Sequence, residues 1–351
     1  MAIKYFTDAF SATGYISLQK KNLTGINHVY HLKNPADALV HDALEHLAMK
    51  LTARRLSLEY IFNTHNPNQL AGLVIRELGI AFVSGDTVME TAEIIDLSTL
   101  YCKSRIKKNQ VKLDELNNNM QLLYDRMYMH FNAALHIHDE WEKIYIDRID
   151  FKKAELFKES LLDRLFAKVS ATDHSSTIVK RFFGTFTPQG LVDFIPELTA
   201  GFTRYLIKGR PGTGKSTLLM AVVKKALELG LDMHIYHCSL DVKSLDMVIV
   251  PELGFCIFDA TSPHEYEPSL KRDEVLDTYD AFIKKDTDER CACILRGIED
   301  KYNNQIKSAK NALKEASKIR AEIEDIYTNA EIANEKKDLF YELINKLKKI
   351  I

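Results

Sequence analysis

The sequence predicts an α/β fold, a parallel sheet flanked by helices, laid down twice along one chain. Three observations predict it. β-like runs alternate with helical stretches, the order that builds a parallel sheet with helices on its faces. Segments of the first half recur in the second at an offset near 175. A glycine-rich octapeptide, Gly209-Arg-Pro-Gly-Thr-Gly-Lys-Ser216, lies between a β-like run and a helix.

The length of 351 residues suits two domains. Hydrophobic residues at 46% and charged residues at 27% are ordinary for a globular chain, which excludes collagen-like and disordered classes. Lys+Arg (47) and Asp+Glu (49) leave a net charge of −2, so a nucleic-acid partner is not expected. No secretory or membrane-spanning segment is visible. The five scattered cysteines read as reduced thiols and point to the cytoplasm. Cys291 and Cys293 lack a second ligand pair at zinc spacing and read as two thiols on a helix.

The internal repeat sets the boundaries. Lys33 matches Lys208, Leu70 matches Leu245, Thr64 matches Ser239, and Glu77-Leu78-Gly79 falls on Glu252-Leu253-Gly254, all at 175. KYFTDAFSATGY falls on KRFFGTFTPQGL at 176, with Gly14 on Gly190. IYIDRIDFKKAELFKESLLDRL resembles IYTNAEIANEKKDLFYELINKL at 182. The expected domains are residues 1–168 and 178–351, joined by the polar stretch Val169 to Thr177.

Each copy should run in the same order. An aromatic opening comes first (Tyr5–Phe10; Phe182–Phe186), then a strand (Val29–Leu32; Tyr205–Ile207) and a helix (Ala38–Ala53; Lys215–Leu229). A second strand follows (Leu58–Phe62; Met233–Cys238), then a third (Ile80–Val83; Phe255–Phe258). Three or four strands per copy are fewer than a sheet normally has. The opening strand of the second copy, Val179–Phe186, is therefore expected to complete the first sheet, and the first copy's opening strand the second. The rest is helical. Ile298, Tyr302, Ile306, Ala309, Leu313, Ala316, Ile323 and Ile326 form one apolar seam. Leu113, Leu116, Met120, Leu123 and Met127 form another. Such seams pack on each other or on the sheet, and the alternative is an arm for a protein partner.

The octapeptide fits G-x-x-x-x-G-K-[ST], the phosphate-binding loop known as Walker A. Its glycines, Gly209, Gly212 and Gly214, let backbone N–H groups close on phosphates, with Arg210, Pro211 and Thr213 completing the loop. The helix from Lys215 offers its positive end to the same charge. Lys215 would neutralise the β- and γ-phosphates, the Ser216 hydroxyl would ligate Mg²⁺, and Thr217 would lie near the α-phosphate. The apolar run GFCIFDAT ends in Asp259, the expected carboxylate for that Mg²⁺. The next residue is Ala260, not the glutamate by which many ATPases activate water. Asp241, in YHCSLD after the second strand, would orient a second substrate or a water on Mg²⁺, or else cap a turn. Glu252, His264 and Glu265 are further candidates, with His264 read as an exposed loop residue.

The first copy lacks the loop. Lys33 to His41 contains no glycine, and Asp37 stands where phosphate would go. Its third strand runs into Ser84-Gly85-Asp86, with no counterpart of Asp259. Binding of Mg-nucleotide is expected in the second copy only.

TPQG (Thr187–Gly190), GRPGTGKST (Gly209–Thr217), HCSLDVKSLD (His237–Asp246), VPELG (Val250–Gly254) and FDATSPH (Phe258–His264) together resemble a family of tandem P-loop proteins of low-GC Gram-positive bacteria. That family is described as ATPases or nucleotide-kinase-like. The resemblance spans nearly the whole chain and implies a P-loop NTPase fold without fixing a substrate. The family commonly carries a phosphate loop in both halves, and this chain departs from it in the first. The expected function is that of an ATP-binding (or other NTP-binding), Mg²⁺-dependent NTPase or phosphotransferase. Arg272, Arg290 and Arg296 are available as lid arginines for a kinase. The alternative is a nucleotide-controlled binding module whose helical arms contact a protein.

Overall fold

The computed structural model describes residues 3–348 other than 86, 88 and 168. Asp86 and Lys168, at the end of the first copy's third strand and at the expected domain edge, thus lie outside the described residues. The first half contains β1 (Ile3–Tyr5), β2 (Asp8–Ser11), β3 (Gly14–Ser17), α1 (Gln19–Asn22), β4 (His28–Lys33), α2 (Asp37–Thr52) and β5 (Glu59–Phe62). It continues with β6 (Leu70–Ile75), β7 (Ile80–Val83), β8 (Glu93–Asp96), α3 (Lys103–Lys108), α4 (Gln110–Ile146) and α5 (Phe151–Phe166). The second half repeats this order as β9 (Ile178–Arg181), β10 (Gly184–Thr187), β11 (Gly190–Asp193), α6 (Ile195–Thr199), β12 (Thr203–Lys208), α7 (Lys215–Glu228) and β13 (Met233–His237). There follow β14 (Leu245–Val250), β15 (Phe255–Asp259), β16 (Asp273–Asp277), α8 (Thr278–Phe282), α9 (Thr287–Thr328) and α10 (Ala333–Lys348).

Two six-stranded mixed sheets result, ordered β1-β5-β6-β7-β4-β8 and β9-β13-β14-β15-β12-β16. Strands β6 and β14 run antiparallel to both neighbours, and the other pairings are parallel. The purely parallel sheet expected from the sequence is therefore corrected. A parallel return needs a crossover of a dozen residues or more. Only a short turn separates β13 from β14, and a single 3₁₀ turn ending at Gly254 separates β14 from β15. Those connections permit only antiparallel neighbours.

The strand exchange expected at the openings does not occur. β9 pairs with β13 of its own sheet, and β1 with β5. The stretch Val179–Phe186 breaks after Arg181, and β10 leaves to form a hairpin with β11. Phe6 and Phe182 form an isolated antiparallel bridge between the two openings, each N–H donating to the other's carbonyl at 2.9 Å.

What is exchanged is the helical arms. α2 covers the outer face of the first sheet, and Leu339 and Leu343 of α10, from the second half, pack into that same core. α7 covers the outer face of the second sheet, joined by Leu161 and Phe166 of α5 from the first half. Main-chain bonds fix both crossings: Cys102 N–H to Ala330 and Ile332 N–H to Leu100, Asp150 N–H to Phe282 and Lys284 N–H to Arg148. The second pair repeats the first at an offset of 182. The inner faces of the sheets meet around Tyr5, Phe6, Val74, Phe182, Tyr236, Met247 and Phe258.

The long helices α4 and α9 lie antiparallel, since Lys112 pairs with Glu322, Arg126 with Glu315, and Tyr145 with Asp288. Their seams meet over the two hairpins, where Met127, Phe131, Ala309 and Leu313 bury Phe10 and Phe186. The seams read from the sequence thus pack on each other. Cys291 is buried among Tyr145 and Phe282, whereas Cys293 is exposed. Among the described residues no helix is long and apolar enough to cross a membrane.

Candidate functional site

The glycine-rich loop leaves the carboxyl end of β12 and enters α7. Leu218, Leu219, Val222, Val223 and Ala226 form the buried stripe that anchors α7 on the sheet. The loop's neighbour across the sheet is β15, so Asp259 emerges beside it. Gly214 takes the N-cap position at φ +80°, with open space where a β-carbon would stand. Gly214 has no side chain with which to cap the first turn of α7.

Lys215 donates to the Arg210 carbonyl at 2.9 Å, and its Nζ lies 3.6 Å from Asp259 Oδ2. The other Asp259 oxygen accepts from the Thr261 N–H at 3.0 Å and the Thr261 hydroxyl at 2.5 Å. Ser216 Oγ accepts from the Leu245 N–H at 3.0 Å. Asp246 is a residue that sequence reading left without a role. The ladder steps from Tyr236–Met247 to His237–Leu245, which leaves Asp246 as the extra residue of a bulge. Burial, and then the charge of Asp259, push its carboxyl up to about 7. Two carboxylates that repel one another, an ammonium, a hydroxyl and an uncapped helix start form a donor set suited to a divalent cation with a polyphosphate.

The remaining loop residues have other partners. The Arg210 guanidinium turns away to Asp288 (3.0 Å) and lies over the Tyr279 ring. Thr213 is buried, its hydroxyl donating to the Arg210 carbonyl and facing the Thr278 hydroxyl at 2.8 Å. Pro211 is half-buried, and Thr217 is exposed. Gly209 and Gly212 are held by close approaches, and at Gly212 the neighbour is α4. Gly212 has φ +76°, and a β-carbon there would lie 2.7 Å from the Glu142 α-carbon. The first half's long helix therefore rests against the second half's loop.

That helix brings His138 and Glu142, whose Nδ1 and Oε1 are 3.8 Å apart. With Asp139 they form, among the described residues, the one cluster of three His, Cys, Asp or Glu side chains close enough together to share a metal ion. Burial lowers the pKa of His138; the Glu142 carboxylate opposes this and the Lys215 ammonium adds to it, while Asp241 also lies near enough to act. Asp241 itself holds a turn, accepting from the Lys243 N–H at 3.2 Å.

The same place in the first half is filled by side chains. Glu324 of α9 accepts from the N–H groups of Asp37 (2.7 Å) and Ala38 (3.1 Å) at the start of α2. Arg320 clasps Asp37 at 2.5 Å. His41 Nδ1 accepts the Leu70 N–H at 3.2 Å, as Ser216 accepts that of Leu245. At an offset of 182, Glu324 corresponds to Glu142 and Arg320 to His138.

Five sequence candidates stand elsewhere. His264 is buried rather than exposed, with Nδ1 3.0 Å from Asp193 and its ring against Phe183. Glu252 accepts the Asp232 N–H at the far end of β14 from the loop. Arg272 bonds to the Ala200 carbonyl, and Arg290 and Arg296 are exposed along α9. Compared with protein-family models, curated proteins and solved structures, the chain matches none.

Proposed function

We propose that the second half is a P-loop site for ATP, or another NTP, with Mg²⁺, and that it hydrolyses the nucleotide or transfers its phosphoryl group. One observation carries this reading. The start of α2 and the place it matches in the second half differ in what neutralises them: the Asp37 and Ala38 N–H groups are capped by the Glu324 carboxylate, while their counterparts at an offset of 175, Gly212 and Thr213, have no side-chain cap among the described residues and lie in the loop that carries Lys215. A helix start that takes an anion in one half and is uncapped in the other supports an exogenous anion there. Lys215 would release the Arg210 carbonyl and turn to the β- and γ-phosphates. The first-turn N–H groups and the loop backbone would bind the phosphate oxygens and steady charge during transfer. Ser216 and Asp259 would hold Mg²⁺, which supplies charge neutralisation. Asp246 would back Asp259. The contacts that repeat at 175 and 182 support a tandem duplication whose first copy lost its loop, in keeping with the family resemblance. Five free cysteines support a cytoplasmic setting.

A phosphorus-NMR time course of Mg-ATP tests the reading. ADP and free phosphate should accumulate with the unaltered protein, and Lys215→Ala should slow this on the order of 100-fold or more. Unchanged ATP signals, without broadening, would count against any nucleotide site. A second reading, a nucleotide-controlled binding module, draws support from the contact of α4 with Gly212, through which loop occupancy would reach the other half. Broadened ATP signals without turnover would favour it.

A further inference from the structure

We propose that Glu142, on α4 of the first half, accepts the proton of the attacking water at the nucleotide site of the second half. The inference rests on the nucleotide reading above and assigns the residue which that reading lacks. A water-activating carboxylate is missing from β15 itself: Asp259 is followed by Ala260, which is fully buried. The backbone of Glu142 lies against Gly212, in the loop. Its carboxylate is 3.8 Å from His138. Gly212 is three residues from Lys215 along the loop, so Glu142 stands beside the site.

The reach of such a residue is visible in the first half. Glu324, the counterpart of Glu142, extends from α9 to within 2.7 and 3.1 Å of two N–H groups at the start of α2. A glutamate at this place on an arm spans the gap to the first turn of the facing helix. In the first half the carboxylate occupies the anion position. In the second, the nucleotide's phosphates would take that position, and the carboxylate beside the loop would meet the water that approaches the γ-phosphorus.

The water oxygen forms a bond to the γ-phosphorus. The bond from that phosphorus to the bridging oxygen breaks, and its electron pair leaves with ADP. The water proton passes to Glu142 and then to solvent, giving ADP, phosphate and one proton.

The full-length protein should be assayed for phosphate release, and for Mg-ATP binding by equilibrium dialysis. Glu142→Gln should lower kcat about 100-fold or more while leaving the Mg-ATP dissociation constant within about threefold. Glu142→Asp should recover part of the rate. The assignment is overturned if Glu142→Gln keeps kcat within about threefold, or if its binding falls as far as its rate. Binding without turnover by the unaltered protein overturns it too, yet leaves the nucleotide site standing. Absence of any Mg-ATP binding removes the nucleotide reading itself, with Lys215→Ala as the reference for a protein that does not bind.

Discussion

Arg181 and Glu59 form a 2.7 Å ion pair from which water is excluded, one on the edge strand of the second sheet and the other on the first sheet. Arg76 adds a bond to the same carboxylate at 2.8 Å, Tyr5 donates to it at 2.7 Å, and the Arg181 guanidinium stacks over the Tyr5 ring. Burial alone would raise the pKa of Glu59, but the Arg181 charge and the Arg76 hydrogen bond outweigh it and hold the carboxyl down to about 2. Glu59→Gln should therefore cost about 3–5 kcal/mol in urea unfolding, because it leaves a buried guanidinium unpaired. The double change with Arg181→Met should cost less than the sum of the two single changes. A depressed carboxyl stabilises above its unfolded pKa. This contribution should be whole above about pH 4.5 and vanish as the pH falls toward 2. An acid-unfolding midpoint that does not move in Glu59→Gln would refute the assignment.

The single tryptophan is Trp141, adjacent to Glu142 and edge-on to Tyr302. Its fluorescence should change on adding Mg-ATP, since α4 touches the loop at the next residue. Lys215→Ala should abolish the change. A titration that is flat for both proteins would separate the arm from the site.

Gly212→Ala meets two obstacles, a left-handed backbone and the α4 backbone in the space of the new methyl group. The left-handed conformation alone costs about 1–2 kcal/mol, and the clash adds to it. We expect a lowered unfolding midpoint together with weakened nucleotide binding. Gly214→Ala shares the strain but opens on empty space, so it should destabilise less.

Ending the chain after Ile332 removes α10 and with it Leu339 and Leu343, both buried against α2. Losing two buried leucines should cost about 3–6 kcal/mol. Hydrogen exchange should rise most in the first sheet, far away in sequence, and least in β12 to β15. Equal loosening of both sheets would contradict the exchange of arms.

Much of this was legible in the sequence because the signals were local. The strand expected at Ile80–Val83 matches residue for residue, and α7 differs from its expected span only at its end, since Gly214 starts it and a continuous apolar stripe defines it. Strand β14 does not stand out in the sequence because the turn at Asp241 to Ser244 hides a hairpin between two apolar runs; the two-run pattern with an Asp turn is its signal. The arms were seen as helices but not as exchanged, because an apolar seam does not name its partner. The same gap hid half of the candidate site. Lys215, Ser216 and Asp259 announce themselves by motif and strand end. Asp246 joins them through a bulge, and His138 and Glu142 through a tertiary contact from the other half, neither of which has a spacing to read.

The exchange of arms sets an order of events during synthesis. Strands β1 to β8 leave the ribosome first, yet the helix that shares their cover with α2 follows the entire second sheet. Until then the apolar outer face of the first sheet stays partly open to solvent, while α5 waits for a sheet that has not been made. Neither half can be sealed alone. The first sheet can be closed only after the second copy has been made, so the face that α10 covers is exposed for that interval.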